Sequence, residues 1–146
     1  MKCKVVTNSN DVVKCIRLAE THYNEVERKF TGLPYKPKVS LFLQLYEADL
    51  LCTVALYDGR VVEGYVMFSI TPSLLNDGMN AQEIGLFVMD RHRGSGWFKQ
   101  MLSMAEEELQ KMGASVAALS FKAGLKHALP EGYVETETIF IKSLEA

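Results

Sequence analysis

The chain has 146 residues, which suits a single domain large enough to enclose a hydrophobic core. Hydrophobic residues make up 48% of it and charged residues 23%, an ordinary globular balance without the signature of disorder. The formal net charge of −2 argues against a nucleic-acid or membrane-surface partner, and no apolar run reaches the roughly 18 residues of a membrane span.

The cysteines and the first residues indicate where such a protein would work. Cys3, Cys15 and Cys52 are too few and too irregularly spaced for a disulfide framework or a CxxC metal site, so buried thiols are predicted. The opening MKCKVVTNSN turns polar too early for a signal peptide. We therefore expect a soluble, cytoplasmic protein with one domain over residues 1–146.

The first third of the chain predicts one strand and two helices. CKVVT is a short β-rich run, and the polar NSND after it supplies a helix cap ahead of Asp11. The apolar residues of that helix recur at helical spacing: Val12, Cys15, Ile16, Ala19, Tyr23 and Val26. His22 and Glu25 lie one turn apart on it, and without a third ligand we interpret them as surface neighbours. TGLPYKPK interrupts the pattern, and VSLFLQLYEAD predicts a shorter second helix.

Strands dominate the second half. LLCTVALYDGRVVEGYVMFSIT predicts two strands joined by a tight turn at Asp58-Gly59, and the loop PSLLNDGMN separates them from a third, AQEIGLFVM, expected to be buried on both faces. A helix that stops at Gly113 follows, with an apolar face of Phe98, Leu102, Ala105, Leu109 and Met112. SVAALSF predicts a strand, KAGLKHAL at most a short helix, and YVETETIFIKSL a final strand. The predicted fold class is therefore α/β (α+β), a mixed sheet with helices on its faces.

A glycine-rich turn joins the third strand to its helix within FVMDRHRGSGWFKQML. The unpaired N–H groups of a helix N-terminus favour an anion, and Gly94 and Gly96 let the backbone approach one closely. A dinucleotide-binding fingerprint would have a third glycine where Lys99 stands, and a P-loop would carry GKS or GKT. A different phosphate-binding turn is therefore predicted.

This turn resembles the core motif of the GCN5-related N-acetyltransferase (GNAT) superfamily, V-x-P-x-Y-R-G-x-G-x-G/A. The matching residues are Val88, Arg93, Gly94 and Gly96, and the departures are Asp90, His92 and Phe98. EGYVETETIFIKSL resembles the family's C-terminal strand, and ETHYNEVERKF resembles small members from bacteriophages and prophages.

The resemblance implies a mostly antiparallel central sheet flanked by helices on both faces, and acetyl transfer from acetyl-CoA to an amine. It implies that pantetheine lies along the third strand and pyrophosphate against the turn and the start of the helix. The implied coenzyme-binding residues are Phe87, Val88, Met89, Arg91, Arg93, Gly94, Ser95, Gly96, Trp97 and Phe98.

The resemblance also nominates catalytic residues. Glu83 stands where the histone-acetylating branch has a glutamate that acts on the amine through water, although a solvated strand-end glutamate is the alternative. Many family members use as the general acid a tyrosine four residues before a Gly-Phe pair, and here Ala128 stands at that position. Phe121 stands where the family usually has an asparagine. His127 and Tyr133 remain as candidates for the acid.

Three functions stay open at this point. One is an N-acetyltransferase acting on a primary amine of a small molecule or a protein. The second is a GNAT-fold binding or regulatory protein with weakened catalysis, and the third is a phage structural component. The sequence does not choose an acceptor among peptide, antibiotic and polyamine, and the exposed edges of the final strands favour a homodimer.

Overall fold

The computed structural model describes residues 1–121 and 130–144. The first helix begins at the predicted cap, where the Asn8 side chain accepts a hydrogen bond from the Asp11 N–H at 2.9 Å. The helices are α1 (Ser9–His22), α2 (Arg28–Thr31), α3 (Val39–Glu47) and α4 (Trp97–Lys111), with a π-helical turn at Tyr23–Glu27 and a 3₁₀ turn at Asp90–His92. The strands are β1 (Lys2–Val5), β2 (Leu51–Asp58), β3 (Val61–Pro72), β4 (Met79–Val88) and β5 (Val116–Ala118).

These five strands form one sheet in the order β1-β2-β3-β4-β5. The first three pairings are antiparallel and the last, between β4 and β5, is parallel. The predicted hairpin is confirmed, with Gly59 in the left-handed region at φ 61°. The mixed, mostly antiparallel sheet of the predicted fold class is likewise confirmed.

Helices cover both faces of the sheet. One face packs against α4 through residues such as Phe68, Met101 and Ala105. The other packs against α1 and α3 around residues such as Ile16 and Tyr65. All three cysteines are buried in these two cores, as predicted. No helix within residues 1–121 and 130–144 is both long enough and apolar enough to cross a membrane.

A β-bulge interrupts β4. Met67 of β3 lies opposite Gly85 and the next residue, Phe68, lies opposite Glu83, so Ile84 is the extra residue. The bulge reverses the alternation of side chains along the strand: Ala81 packs in the core on the α4 face, whereas Phe87 packs on the α1 face. Residues an even number apart therefore point to opposite faces of the sheet when Ile84 lies between them.

The predicted final strand is not formed. Residues 134–144 belong to no strand, and apolar side chains such as Val134 and Phe140 are 80% and 89% exposed. A strand requires a partner backbone as well as an alternating sequence, and β5, at the edge of the sheet, offers three residues, fewer than the predicted SVAALSF. The short helix predicted over KAGLKHAL falls in 122–129, outside the described residues.

Candidate functional site

A cleft opens where β4 and β5 separate. β5 pairs with β4 only at Asn80, Ala81 and Gln82, whereas β4 continues to Val88. The space between the two strands has a volume of about 950 Å³. Its walls are the second half of β4, the glycine turn and the first residues of α4, together with His22 and Glu25 on one side and Ser120 and Phe121 on the other.

The far end of the cleft suits an anion. Gly94 and Gly96 have φ values of 80° and 83°, which side-chain-bearing residues rarely adopt, and among the described residues no atom beyond their chain neighbours lies within 4 Å of where their Cβ atoms would be. The first helical hydrogen bond of α4 runs from the Gln100 N–H to the Gly96 carbonyl at 3.2 Å. The N–H groups of residues 97–99 precede it and stand at the positive end of a 15-residue helix.

Phe98, one of the three departures from the family motif, lies in the first turn of α4. Phe98 and Trp97 are half-buried and pack against the core on the α4 face while also lining the cleft. The bulky side chain is therefore shared between the core and the wall of the cleft.

Arg93 holds the turn against the end of β4. Its Nε donates to the Val88 carbonyl at 2.7 Å, and its guanidinium lies 5.2 Å from the centre of the Phe87 ring. It also forms an ion pair with Asp90 and lies 3.9 Å from a carboxylate oxygen of Glu25. Half-exposed at the rim of the cleft, this side chain links β4 to the segment after α1.

The other predicted coenzyme contacts are distributed on both sides of β4. The Met89 N–H donates to the Glu63 carbonyl of β3 at 3.0 Å. Backbone N–H and C=O groups point alternately to the two sides of a strand. The backbone groups of Leu86 and Val88 therefore point away from β3, into the cleft. Phe87 contributes its ring to the lining. Arg91 forms an ion pair with the buried Glu63 and does not line the cleft, and Ser95 is exposed in the turn.

The candidate catalytic residues Glu83 and Tyr133 lie in different parts of the structure. Glu83 is half-buried beside the bulge and lines the cleft. Tyr133 packs on the α4-face core instead, with its hydroxyl buried near the Glu106 carboxylate but without a hydrogen bond of normal geometry. Burial, and then that carboxylate, raise its pKa to about 12. His127 and Ala128 lie outside the described residues.

His22 was wrongly predicted to be a surface neighbour of Glu25. It is half-buried, its Nδ1 lies 3.1 Å from the Tyr65 hydroxyl, and its ring stacks on Phe87 with centroids 5.3 Å apart. Burial first, and then neighbouring groups that include Glu83, raise the pKa of Tyr65, so the phenol stays protonated. The helical spacing from Ala19 to His22 could have identified this inward face.

Known structures share this architecture. An aminoglycoside acetyltransferase from an uncultured soil metagenomic sample, in complex with sisomicin, has a TM-score of 0.67 at 10% identity over 93% of this chain and 96% of that one. A GNAT family acetyltransferase of Staphylococcus aureus has a TM-score of 0.66 at 16% identity over 99% and 100%. A predicted acetyltransferase with acetyl-CoA from Clostridium acetobutylicum has a TM-score of 0.66 at 11% identity over 93% and 96%. These identities establish the fold alone, and no curated protein matches the chain by sequence.

A sequence model of the acetyltransferase (GNAT) family matches residues 18–129. The match spans more than half of the chain and contains the bulge, the glycine turn and α4. Members of this family use acetyl-CoA in acetyl transfer. The chain belongs to the acetyltransferase (GNAT) family.

Proposed function

We propose that this protein transfers the acetyl group of acetyl-CoA to a primary amine of a small molecule or a protein. The observation that carries the proposal is the cleft between the diverging β4 and β5, which ends on the N-terminus of α4. It combines an open strand edge for an extended chain with a helix terminus for phosphate.

The residues of the cleft fit acetyl-CoA. The backbone of Val88, flanked by Phe87 and Met89, would hold the pantetheine, although Arg93 already occupies the Val88 carbonyl. The pyrophosphate would lie against the turn and the first turn of α4. Its contacts there would be the amides of Gly94, Ser95, Gly96, Trp97 and Phe98, with the positive charge of Arg93 beside them. The ion pair with Glu63 turns Arg91 away, so it would act on the coenzyme only through long-range charge.

When bound, acetyl-CoA supplies the acetyl thioester, and a group of the protein must remove a proton from the acceptor ammonium. An ammonium ion has no lone pair with which to attack, so a base has to accept its proton. Glu83 is our candidate because its half-buried carboxylate lies at the bulge, at the wall of the cleft.

The acid that protonates the leaving thiolate is assigned less directly. Tyr133 lies against Glu106 on the α4 side and does not line the cleft, so it would need to move to serve. His127 remains a candidate from the sequence.

Release of free CoA, followed with a thiol reagent, tests this function. We expect release that depends on both acetyl-CoA and an amine, across a panel of phenethylamine, spermidine, sisomicin and an alanine-terminated peptide. Binding of acetyl-CoA without release for any amine would replace the proposal with the binding or regulatory protein. Failure to bind acetyl-CoA would refute both.

A further inference from the structure

A second cavity lies on the other face of the sheet, between α1, α3 and the β3–β4 pair, with a volume of about 330 Å³. It shares His22, Glu27 and Ile84 with the cleft, so the two spaces meet at the β-bulge. A molecule in this cavity would therefore point one end at the region where the coenzyme's acyl group is expected.

The walls of the cavity are largely apolar. Ile16 and Ala19 come from α1, Phe42 from α3 and Met67 from β3. A volume near 330 Å³ has room for about ten non-hydrogen atoms, taking ~30 Å³ as the share of one water molecule in the liquid. The walls therefore favour a compact apolar body over a long or heavily hydroxylated one.

Three tyrosines among the described residues also line the cavity, and their hydroxyls are engaged within the protein. Tyr35 and Tyr23 donate to backbone carbonyls at 2.6 and 3.0 Å, and the Tyr65 hydroxyl lies 3.1 Å from His22 Nδ1. Since these groups already have partners, the tyrosines present mainly their rings to the cavity. Aromatic rings suit both an aromatic guest and a cation.

The charge of the lining is negative. Glu27 is a carboxylate at the end that adjoins the cleft, and among the described residues that line the cavity there is no Lys or Arg. A single cationic group is therefore favoured at this end, where His22 and Glu83 also lie.

Gly85 fixes the wall beside the bulge. A Cβ atom at this position would lie 2.9 Å from the Tyr65 ring and from its hydroxyl. Only glycine lets Tyr65 lie this close to β4 and contact His22 at the junction of the two spaces. The cavity is thus held open by specific packing.

We propose that this cavity is the acceptor site and that it selects compact primary amines with one positive charge and one aromatic or branched apolar body. This inference rests on the acetyl transfer proposed above. Its physical basis is an apolar, aromatic cavity whose described lining carries one carboxylate, Glu27, at the end that adjoins Glu83 and the bulge. Polyamines and aminoglycosides carry several charges, which the apolar inner wall would leave without partners.

Steady-state kinetics at saturating acetyl-CoA test this assignment. We expect kcat/KM for phenethylamine and isoamylamine to exceed that for spermidine, sisomicin and an alanine-terminated peptide by about 100-fold or more, as polar mismatches discriminate strongly. 2-Phenylethanol, which keeps the body and lacks the amine, should inhibit competitively against phenethylamine.

A size-exchange variant links this preference to the cavity. Phe42→Ala enlarges the inner wall, so the ratio of kcat/KM for 2-(1-naphthyl)ethylamine to that for phenethylamine should rise about tenfold. Phe30→Ala, at a 47% exposed position outside the cavity, is the matched control and should leave the ratio unchanged. A ratio of two rates is insensitive to the fraction of variant that folds.

The possible outcomes distinguish a failure of the proposed acceptor site from a failure of the proposed acetyl transfer. Faster transfer to spermidine, sisomicin or the peptide than to the compact amines would overturn the substrate class and leave acetyl transfer standing. An unchanged ratio in Phe42→Ala would remove the acceptor from this cavity. No CoA release with any amine would overturn both.

Discussion

Glu83 is the residue on which the proposed chemistry depends most. Glu83→Gln keeps the size of the side chain and removes its ability to accept a proton, so kcat should fall by about 10²–10³-fold while affinity for acetyl-CoA is kept. Glu107→Gln, on the exposed side of α4, is the control and should retain kcat. An unchanged kcat in Glu83→Gln would make this carboxylate a solvated strand residue.

Gly96 tests the coenzyme site at the same scale. Gly96→Ala and Gly59→Ala both place a methyl group at positive φ, 83° and 61°, and both should lower stability by about 1–2 kcal/mol. Within residues 1–121 and 130–144, neither methyl would meet an atom beyond its chain neighbours within 4 Å, so a ligand lying on the turn is what should distinguish the two variants. Calorimetric titration with acetyl-CoA should show affinity about tenfold weaker for Gly96→Ala and unchanged for Gly59→Ala. Equal affinities would place the ligand elsewhere.

Single residues differ in how far sequence alone could assign them. Gly94 and Gly96 were predictable because only glycine readily adopts the left-handed backbone that such a turn requires. The helical spacing from Ala19 indicates that His22 faces inward, but its partners Tyr65 and Phe87 could not be identified, because they are more than 40 residues away along the chain. Its environment is created by tertiary contact.

The bulge is the decisive element of β4. Deleting Ile84 would leave Glu83 and Gly85 opposite Phe68 and Met67 in a regular ladder, so the fold should be retained. The junction between cleft and cavity would close, however, and CoA release should fall by about 10³-fold or more, since misplacement of about 1 Å alone can cost about 10²-fold. Circular dichroism and the thermal midpoint provide the control for folding. Retained release would mean that the bulge does not shape the site.

Local sequence pattern predicted most of the strands and helices, but it did not predict the bulge in β4 or the missing final strand. AQEIGLFVM predicted a strand because its apolar run is continuous, but its pairing with β3 determines that Ile84 is extra. YVETETIFIKSL alternates like a strand and yet forms no strand over residues 134–144, because β5 presents only three residues at the sheet edge. The expected homodimer through such edges stays a prediction.

At the scale of the whole molecule, the two cores protect the thiols. Burial raises the pKa values of Cys15 and Cys52 from 9.0 to about 12. Thiols of the unfolded chain ionise near pH 9.0 while the folded ones keep their protons, so the free energy of unfolding should decrease as the pH rises from about 9 toward 12. Urea titrations at about pH 8 and pH 10 measure this slope, and Cys15→Ala/Cys52→Ala should reduce it. A slope unaffected by both substitutions would contradict the assignment.

The architecture as a whole was predictable from the order of elements, because the hairpin at Asp58-Gly59 and the amphipathic α4 determine which faces are buried. The cleft was predictable only in part. The glycine turn identified its phosphate end, whereas the divergence of β4 and β5 depends on where their pairing stops, after Gln82.

Trp97 provides the most direct test of the central claim, that acetyl-CoA binds in the cleft at the start of α4. It is the chain's single tryptophan and lines the cleft. Titration with acetyl-CoA should therefore change its fluorescence saturably, at a lower concentration than titration with acetate or inorganic phosphate does. No change in Trp97 fluorescence up to millimolar acetyl-CoA would contradict the account.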